Sequence, residues 1–198
     1  MTLVLLLISC YTAAALQFIT VNDPSDLSPL SLYNCSLHTT TTFTTTITTT
    51  TLSSSGGNQP CSLRAAWYMC QSGEACVINI LPSVLHVNTS LGPMILNEDY
   101  NITLFGNGST IHALQPSVDR FIVYNSSGSG ASSALSISRV GMDGFGSSTI
   151  DGGTIFLSGD CALSLDSVWF TNNSGYNGGA LYIRYRALPI VCMCYSLA

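Results

Sequence analysis

The chain contains no lysine, and charged residues fill only 8% of its 198 positions, against about 25% in an ordinary soluble domain. Its five cations are Arg64, Arg120, Arg139, Arg184 and Arg186, and the net charge is −5. A phosphate backbone is held by clustered cations, so nucleic acid is excluded as a partner. Extended helical patterns with charged faces are missing too, which excludes an all-α fold. Neither apolar run, at 3–8 or 187–198, reaches the ~20 residues that a membrane-spanning helix needs. Metal chemistry has little to work with. Cys192 and Cys194 lack the two-residue spacer and the partner pair of a zinc site, and repeated Gly-Gly-x-Gly-x-Asp calcium loops do not occur. No metal and no other cofactor is expected.

Hydrophobic residues make up 46% of the chain, enough for the core of one modest domain with a tail or linker. With so few charges, Ser, Thr, Asn and Gly must solvate the surface, a composition that suits stacked β structure. The N-terminus carries an apolar run at 3–8 followed by small residues. Ala13 and Ala15 fit the small-x-small rule, so 1–15 reads as a signal peptide cut after Ala15. A buried first strand is the competing reading of the same run. Leu7-Ile8-Ser9-Cys10 has the form of a lipoprotein box, but the segment before it is short and uncharged. The expected location is therefore secreted, extracellular or at the cell surface.

Six N-x-Ser/Thr sequons agree with that location, at Asn34, Asn88, Asn101, Asn107, Asn125 and Asn172. Of eight cysteines, seven remain after cleavage, which in an oxidising compartment predicts disulfides and one odd thiol. If 61–70 is helical, Cys61 and Cys70 lie ~13 Å apart by rise alone, too far to bridge. Cys70 with Cys76 is the better pair, and Cys35 is within reach of Cys61.

Residues 16–57 read as a polar, irregular lead-in and a Thr/Ser-rich linker. Thr fills eleven of the thirteen positions 39–51, broken only by Phe43 and Ile47. Such a tract reads as an O-glycosylated, extended spacer, with an unglycosylated linker and a β-prone Thr stack as alternatives. Leu63, Ala66, Trp67 and Cys70 then fall on one face of a helix that Ser62 would cap. Beyond Cys76 the pattern turns to short strands such as Ile102-Thr103-Leu104-Phe105, Leu135-Ser136-Ile137 and Leu163-Ser164-Leu165. Gly152-Gly153 and Gly178-Gly179 each introduce a strand, 26 residues apart, and Leu163 follows Leu135 by 28. A repeat of ~25–30 residues built from short strands and Gly/Asn turns is a solenoid pattern. The offsets place Asp151 on Asn177, Ile155 on Leu181, Asp160 on Arg186, Asp166 on Ser138 and Asp143 on Thr171. The tail 187–198 continues no repeat and reads as the end of a truncated product, with any membrane attachment through a missing C-terminal anchor.

Two motifs resemble known families. Cys61-Ser62-Leu63-Arg64-Ala65-Ala66, followed by Val77-Ile78-Asn79-Ile80-Leu81-Pro82, resembles the CSLREA-type N-terminal cap of parallel β-helix surface proteins. Phe170-Thr171-Asn172-Asn173, then Gly178-Gly179-Ala180-Leu181, resembles the FxxN and GGA[ILV] repeats of polymorphic outer-membrane-protein families. The resemblance covers 58–186. It implies a right-handed parallel β-helix of about four coils, pectin-lyase-like, with a short capping helix at its start. The chain departs from these patterns at Ala65, where the motif has glutamate, and in carrying Gly-Gly-Ala cleanly once. The families' C-terminal barrel does not appear.

This fold also hosts polysaccharide lyases and hydrolases, so catalysis must be tested at the site. Inverting glycosidases need two carboxylates ~6.5–9.5 Å apart. Asp143, Asp151 and Asp166 are the candidates, with Asp160 beside them, and no two stack in adjacent coils. His38, His86 and His112 are isolated in the sequence and read as surface or loop residues. Trp169 and Tyr176, near Asn172 and Asn173, form a candidate carbohydrate-binding face. The competing reading is that the Phe170 ring packs inside with Trp169 alternating against it. The expected role is non-catalytic adhesion or extracellular interaction, with glycans or surface proteins as partners. A divergent or degenerate lyase or glycoside hydrolase is the alternative.

Overall fold

A computed structural model of the chain describes residues 15–26, 35, 37–43, 46–52, 60–70, 75–114, 119–125, 133–184 and 191–193. The signal peptide up to residue 14, the sequon at Asn34 and the expected partner Arg186 lie outside the described residues. The fold is all-β apart from one α-helix. In chain order it runs β1 (Ala15–Val21), β2 (Leu37–Phe43), β3 (Thr46–Leu52), α1 (Leu63–Met69), β4 (Ala75–Ile80), β5 (Val84–Val87), β6 (Met94–Leu96) and β7 (Asn101–Ala113). It continues with β8 (Ile122–Asn125), β9 (Ser133–Asp143), β10 (Gly146–Ser147), β11 (Ile155–Ser158), β12 (Cys161–Thr171), β13 (Ser174–Gly175), β14 (Leu181–Arg184) and β15 (Val191–Met193).

Three sheets result. In the long one, β1, β4, β7, β9, β12 and β15 run parallel in that order, and β5 pairs with the second half of β7. A second sheet stacks β6, β8, β11 and β14 in parallel, and a third pairs β10 with β13. Alternation of apolar and polar residues sends every second side chain inward. One inward ladder joins Ile19, Ile78, Leu104, Ile137 and Leu165 across five strands. On the second sheet Met94, Ile122, Ile155 and Leu181 form another. Burying each such side chain contributes about 1.5–3 kcal/mol before chain entropy is counted. The registers expected from the repeats are present: Ile155 faces Leu181, Leu163 faces Leu135, Asp166 faces Ser138 and Asp143 faces Thr171.

The long strands bend where the backbone turns left-handed. Asn107, Arg139 and Ser167 have φ of 53°, 52° and 54° and lie at matching places between paired segments. Gly152 and Gly178 share another such turn, with φ of 67° and 63°. That conformation is costly for most side chains and free for glycine, which explains the first glycine of each Gly-Gly pair.

Helix α1 covers the start of the stack. Ser62 caps it, its hydroxyl accepting from the Ala65 amide at 3.2 Å. The Trp67 indole donates to the Ile95 carbonyl of β6 at 2.8 Å. Disulfides join Cys70 to Cys76, the pair that spacing favoured, and Cys35 to Cys61, which the sequence left within reach. Buried Arg64 meets buried Asp26 at 2.9 Å and donates to the Asn88 carbonyl, while the Asn88 amide donates to Asp26. This clamp ties the segment after β1 to the helix and to the turn after β5.

Three segments differ from expectation. The lead-in is not irregular at its start, because Gln17, Ile19 and Val21 alternate inward and make β1 a member of the long sheet. The Thr tract contributes β2 and β3, an antiparallel pair continuing from β1. Thr is β-branched and favours extended backbone. In the tail, β15 pairs with Ser164 to Asp166 of β12, so 191–193 do continue the stacking.

Candidate functional site

Beyond the bend, β5, β7, β9 and β12 present one outward face. Leu85, Ile111 and Met142 are buried beneath it, and Phe170 packs half-buried against the core. The alternate positions carry polar groups outward. His86 pairs with His112, His112 with Asp143, and Asp143 with Thr171. The two imidazoles stack with centroids 5.9 Å apart. His112 Nδ1 lies 2.8 Å from Asp143 Oδ2. Thr171 Oγ1 and Asn172 Nδ2 each donate to Asp143 Oδ1 at 2.7 Å.

Asp143 is thus the hub of the row. The hydrogen bond from Thr171 is the largest influence on its carboxyl, and together with Asn172 and His112 it outweighs partial burial and holds the group below its ordinary value of 3.8. Its bonds orient His112 through Nδ1 and leave Nε2 as the second polar atom of that ring. One row away, Trp169 faces Gly141, Thr110 and Val84 in turn. Its half-buried indole lies over Gly141, where any Cβ would overlap the ring. Trp169 and Thr171 alternate with Phe170 on one strand, so an aromatic surface and the polar row are neighbours. Asn173 fixes the adjoining turn, accepting from the Phe145 amide at 2.8 Å and donating to the Met142 carbonyl at 2.9 Å.

The other expected residues lie elsewhere. Asp151 accepts from Asn177 Nδ2 at 2.8 Å, and its carbonyl accepts from Arg120. Exposed Asp166 accepts from its neighbour Ser167 at 3.1 Å. The three candidate carboxylates share no hydrogen-bond partner. Tyr176 is 75% exposed in the turn after β13, where its amide bonds the Ile150 carbonyl, and it does not share the Trp169 row. Among the described residues Cys161 is a free thiol; it is buried, and burial pushes it up to about 12, which leaves it unreactive.

His86 and His112 are not isolated, and this corrects the sequence reading. Sequence offsets between successive row members are 26, 31 and 28 residues. The 28-residue offset is legible on the very strands that carry Asp143 and Thr171, whereas 26 shows only at the Gly-Gly turns and 31 nowhere, which is why the sequence links Asp143 and Thr171 and not the histidines. Among the described residues no group of three or more His, Cys, Asp or Glu is placed to hold a metal ion. No helix among them is long and apolar enough to cross a membrane. No family model, curated protein or solved structure matches the chain.

Proposed function

We propose that this chain is a secreted or cell-surface protein, a right-handed parallel β-helix of about four coils, that binds extracellular glycans without turning them over. The β-helix reading is supported by chain order, because successive segments visit the long sheet, the second sheet and the long sheet again, always in parallel. Parallel crossovers of this kind are right-handed in ~98% of cases. Helix α1 over the first coil and the Asn173 turn fit the resemblance to CSLREA-capped and FxxN-repeat proteins. Two disulfides among the described residues suit an oxidising compartment.

The observation that carries the binding reading is the Trp169 indole laid over Gly141 beside the Asp143–His112–Asn172 row. A sugar ring offers an apolar C–H face and a rim of hydroxyls. An indole takes the first and fixed polar groups take the second. The low charge suits a neutral ligand. The test is calorimetric titration of the purified protein with cellohexaose, chitohexaose and xylohexaose. Binding is expected to at least one, weakened at least about tenfold in Trp169→Ala, with the oligosaccharide recovered intact. Equal affinities in the two proteins would remove Trp169 from the site.

The His112–Asp143 pair favours one other reading, a degenerate lyase or hydrolase, since a carboxylate bonded to Nδ1 orients the imidazole as a general base is oriented. Turnover of an oligosaccharide that disappears in Asp143→Asn would establish that reading over the first.

A further inference from the structure

The fold sorts its sequons by what their amides already do. At Asn107 both amide hydrogens are used, toward Asn79 Oδ1 at 2.7 Å and the Ile80 carbonyl at 2.9 Å. The sequon hydroxyl, on buried Ser109, donates to the Pro82 carbonyl at 2.6 Å. A sugar on Nδ2 would replace one hydrogen and need the space its acceptor fills, so the folded chain excludes it. Asn172 differs. It is exposed, sits at the end of β12 with φ of 52°, and sends one amide hydrogen to Asp143 Oδ1. Its sequon hydroxyl belongs to exposed Ser174, which enters the fold through its backbone, donating to the Phe145 carbonyl. An N-glycosylated asparagine keeps one amide hydrogen, so the bond to Asp143 survives modification and fixes the amide plane.

We propose that Asn172 carries an N-linked oligosaccharide whose first sugars lie over Trp169, so that the glycan and an external ligand compete for one face. The ligand half of this rests on the binding reading above. Trp169 stands three residues before Asn172 on the same strand end. Three residues along a strand span about 10 Å, so the first two sugars reach the indole and stack on it. The modification joins Asn172 Nδ2 to the anomeric carbon of an oligosaccharide carried on a lipid pyrophosphate. The anomeric C–O bond breaks, the lipid pyrophosphate leaves with the electron pair, and one amide proton passes to a base of the transferase. The unmodified face binds ligand; the modified face is already filled by the chain's own glycan.

Ser174→Ala separates the two states, because it removes the acceptor hydroxyl while keeping Asn172 and its bond to Asp143. The full chain and this variant are secreted from cultured eukaryotic cells, mapped by glycopeptide mass spectrometry and titrated with cellohexaose, chitohexaose and xylohexaose. The expected result is a glycan on Asn172, a bare Asn107, and oligosaccharide binding at least about tenfold tighter in Ser174→Ala than in the parent. An unmodified Asn172 overturns the proposal. So do equal, measurable affinities in the two proteins. If neither binds while Asn172 is modified, masking falls together with the binding reading, and the mass spectrum keeps that failure distinct from absent glycosylation. Matching denaturation midpoints check that the variant is folded.

Discussion

The two ends of the stack are built differently. At the start, Ile19 and Val21 are fully buried, α1 packs beside β1 and β4, and two disulfides and a buried ion pair hold the surrounding chain. Toward the other end, the inward residues Val168, Phe170, Leu181 and Ile183 of β12 and β14 are only partly buried. A stack of parallel strands gains stability from nearest neighbours, so each inward residue depends on having a neighbour on both sides. At the start, β2 pairs with β1 and the Trp67 indole of α1 bonds the Ile95 carbonyl of β6. The polar row runs across the sheet from His86 on β5 to Thr171 and Asn172 at the end of β12. Among the described residues, the disulfides and the buried ion pair are thus concentrated at one end and the partly buried inward residues at the other.

Breaking the clamp tests this contrast most strongly. Arg64→Ala leaves Asp26 buried without its counter-charge and is expected to cost about 3–5 kcal/mol in urea unfolding. Replacing both partners by apolar residues, Arg64→Met with Asp26→Leu, is expected to recover most of that loss, because two desolvation penalties disappear along with the attraction. A small effect of Arg64→Ala would mean that the clamp is not formed in solution. Position in the stack sets the next effect. Leu104→Ala, in the middle of a five-strand ladder, is expected to cost about 2–5 kcal/mol. Leu181→Ala, half-buried in the last described strand of its sheet, should cost about 1 kcal/mol, since less area leaves water there. Equal losses at the two positions would show the last coil to be as well covered as the middle.

Gly141→Ala addresses the face itself. A methyl at this position overlaps the Trp169 indole and must displace it. Overpacking of this kind costs about 1–3 kcal/mol, and oligosaccharide binding should fall as far as in Trp169→Ala. Intact binding in a folded Gly141→Ala would show that the indole's place over the glycine is immaterial.

The repeats were readable because both of their signals are local. Apolar alternation marks the inward ladders, and Gly-Gly pairs mark turns with positive φ, so Ile155 with Leu181 and Leu135 with Leu163 followed from offsets alone. Helix α1 was readable from the spacing of Leu63, Ala66 and Trp67 and from Ser62 before them. β1 was not, because its six-residue alternation follows a cleavage signal and precedes a polar stretch, and its partner Ala75–Ile80 is remote in sequence. The His86–His112–Asp143 row was hidden for a related reason. Loops of unequal length change the offset from coil to coil, and a row across strands has no period that a linear reading can follow. Nothing in the sequence singles out Gly141, because the Trp169 indole that occupies the space of its absent side chain is 28 residues away along the chain.

The smallest expected effect separates the two regions by pH. Asp26 is raised above the ordinary carboxylate value of 3.8, because burial outweighs the attraction of Arg64. Asp143 is lowered, chiefly by the hydrogen bond from Thr171. The signs are opposite. Asp143 holds its proton more weakly when folded, so its contribution is complete above 3.8 and fades as pH falls through the lower folded value. Asp26 takes up its proton more readily when folded. It favours the folded state below 3.8, and that gain is lost as pH rises through the raised value. Asp143→Asn is therefore expected to flatten the acid limb of stability against pH. Asp26→Asn should remove the opposing slope that begins above 3.8. Urea midpoints measured from about pH 2 to 7 read both slopes. Identical acid limbs in the parent and Asp143→Asn would mean that Asp143 is not held by Thr171, Asn172 and His112 in solution, and the polar half of the candidate face would lose its organising group.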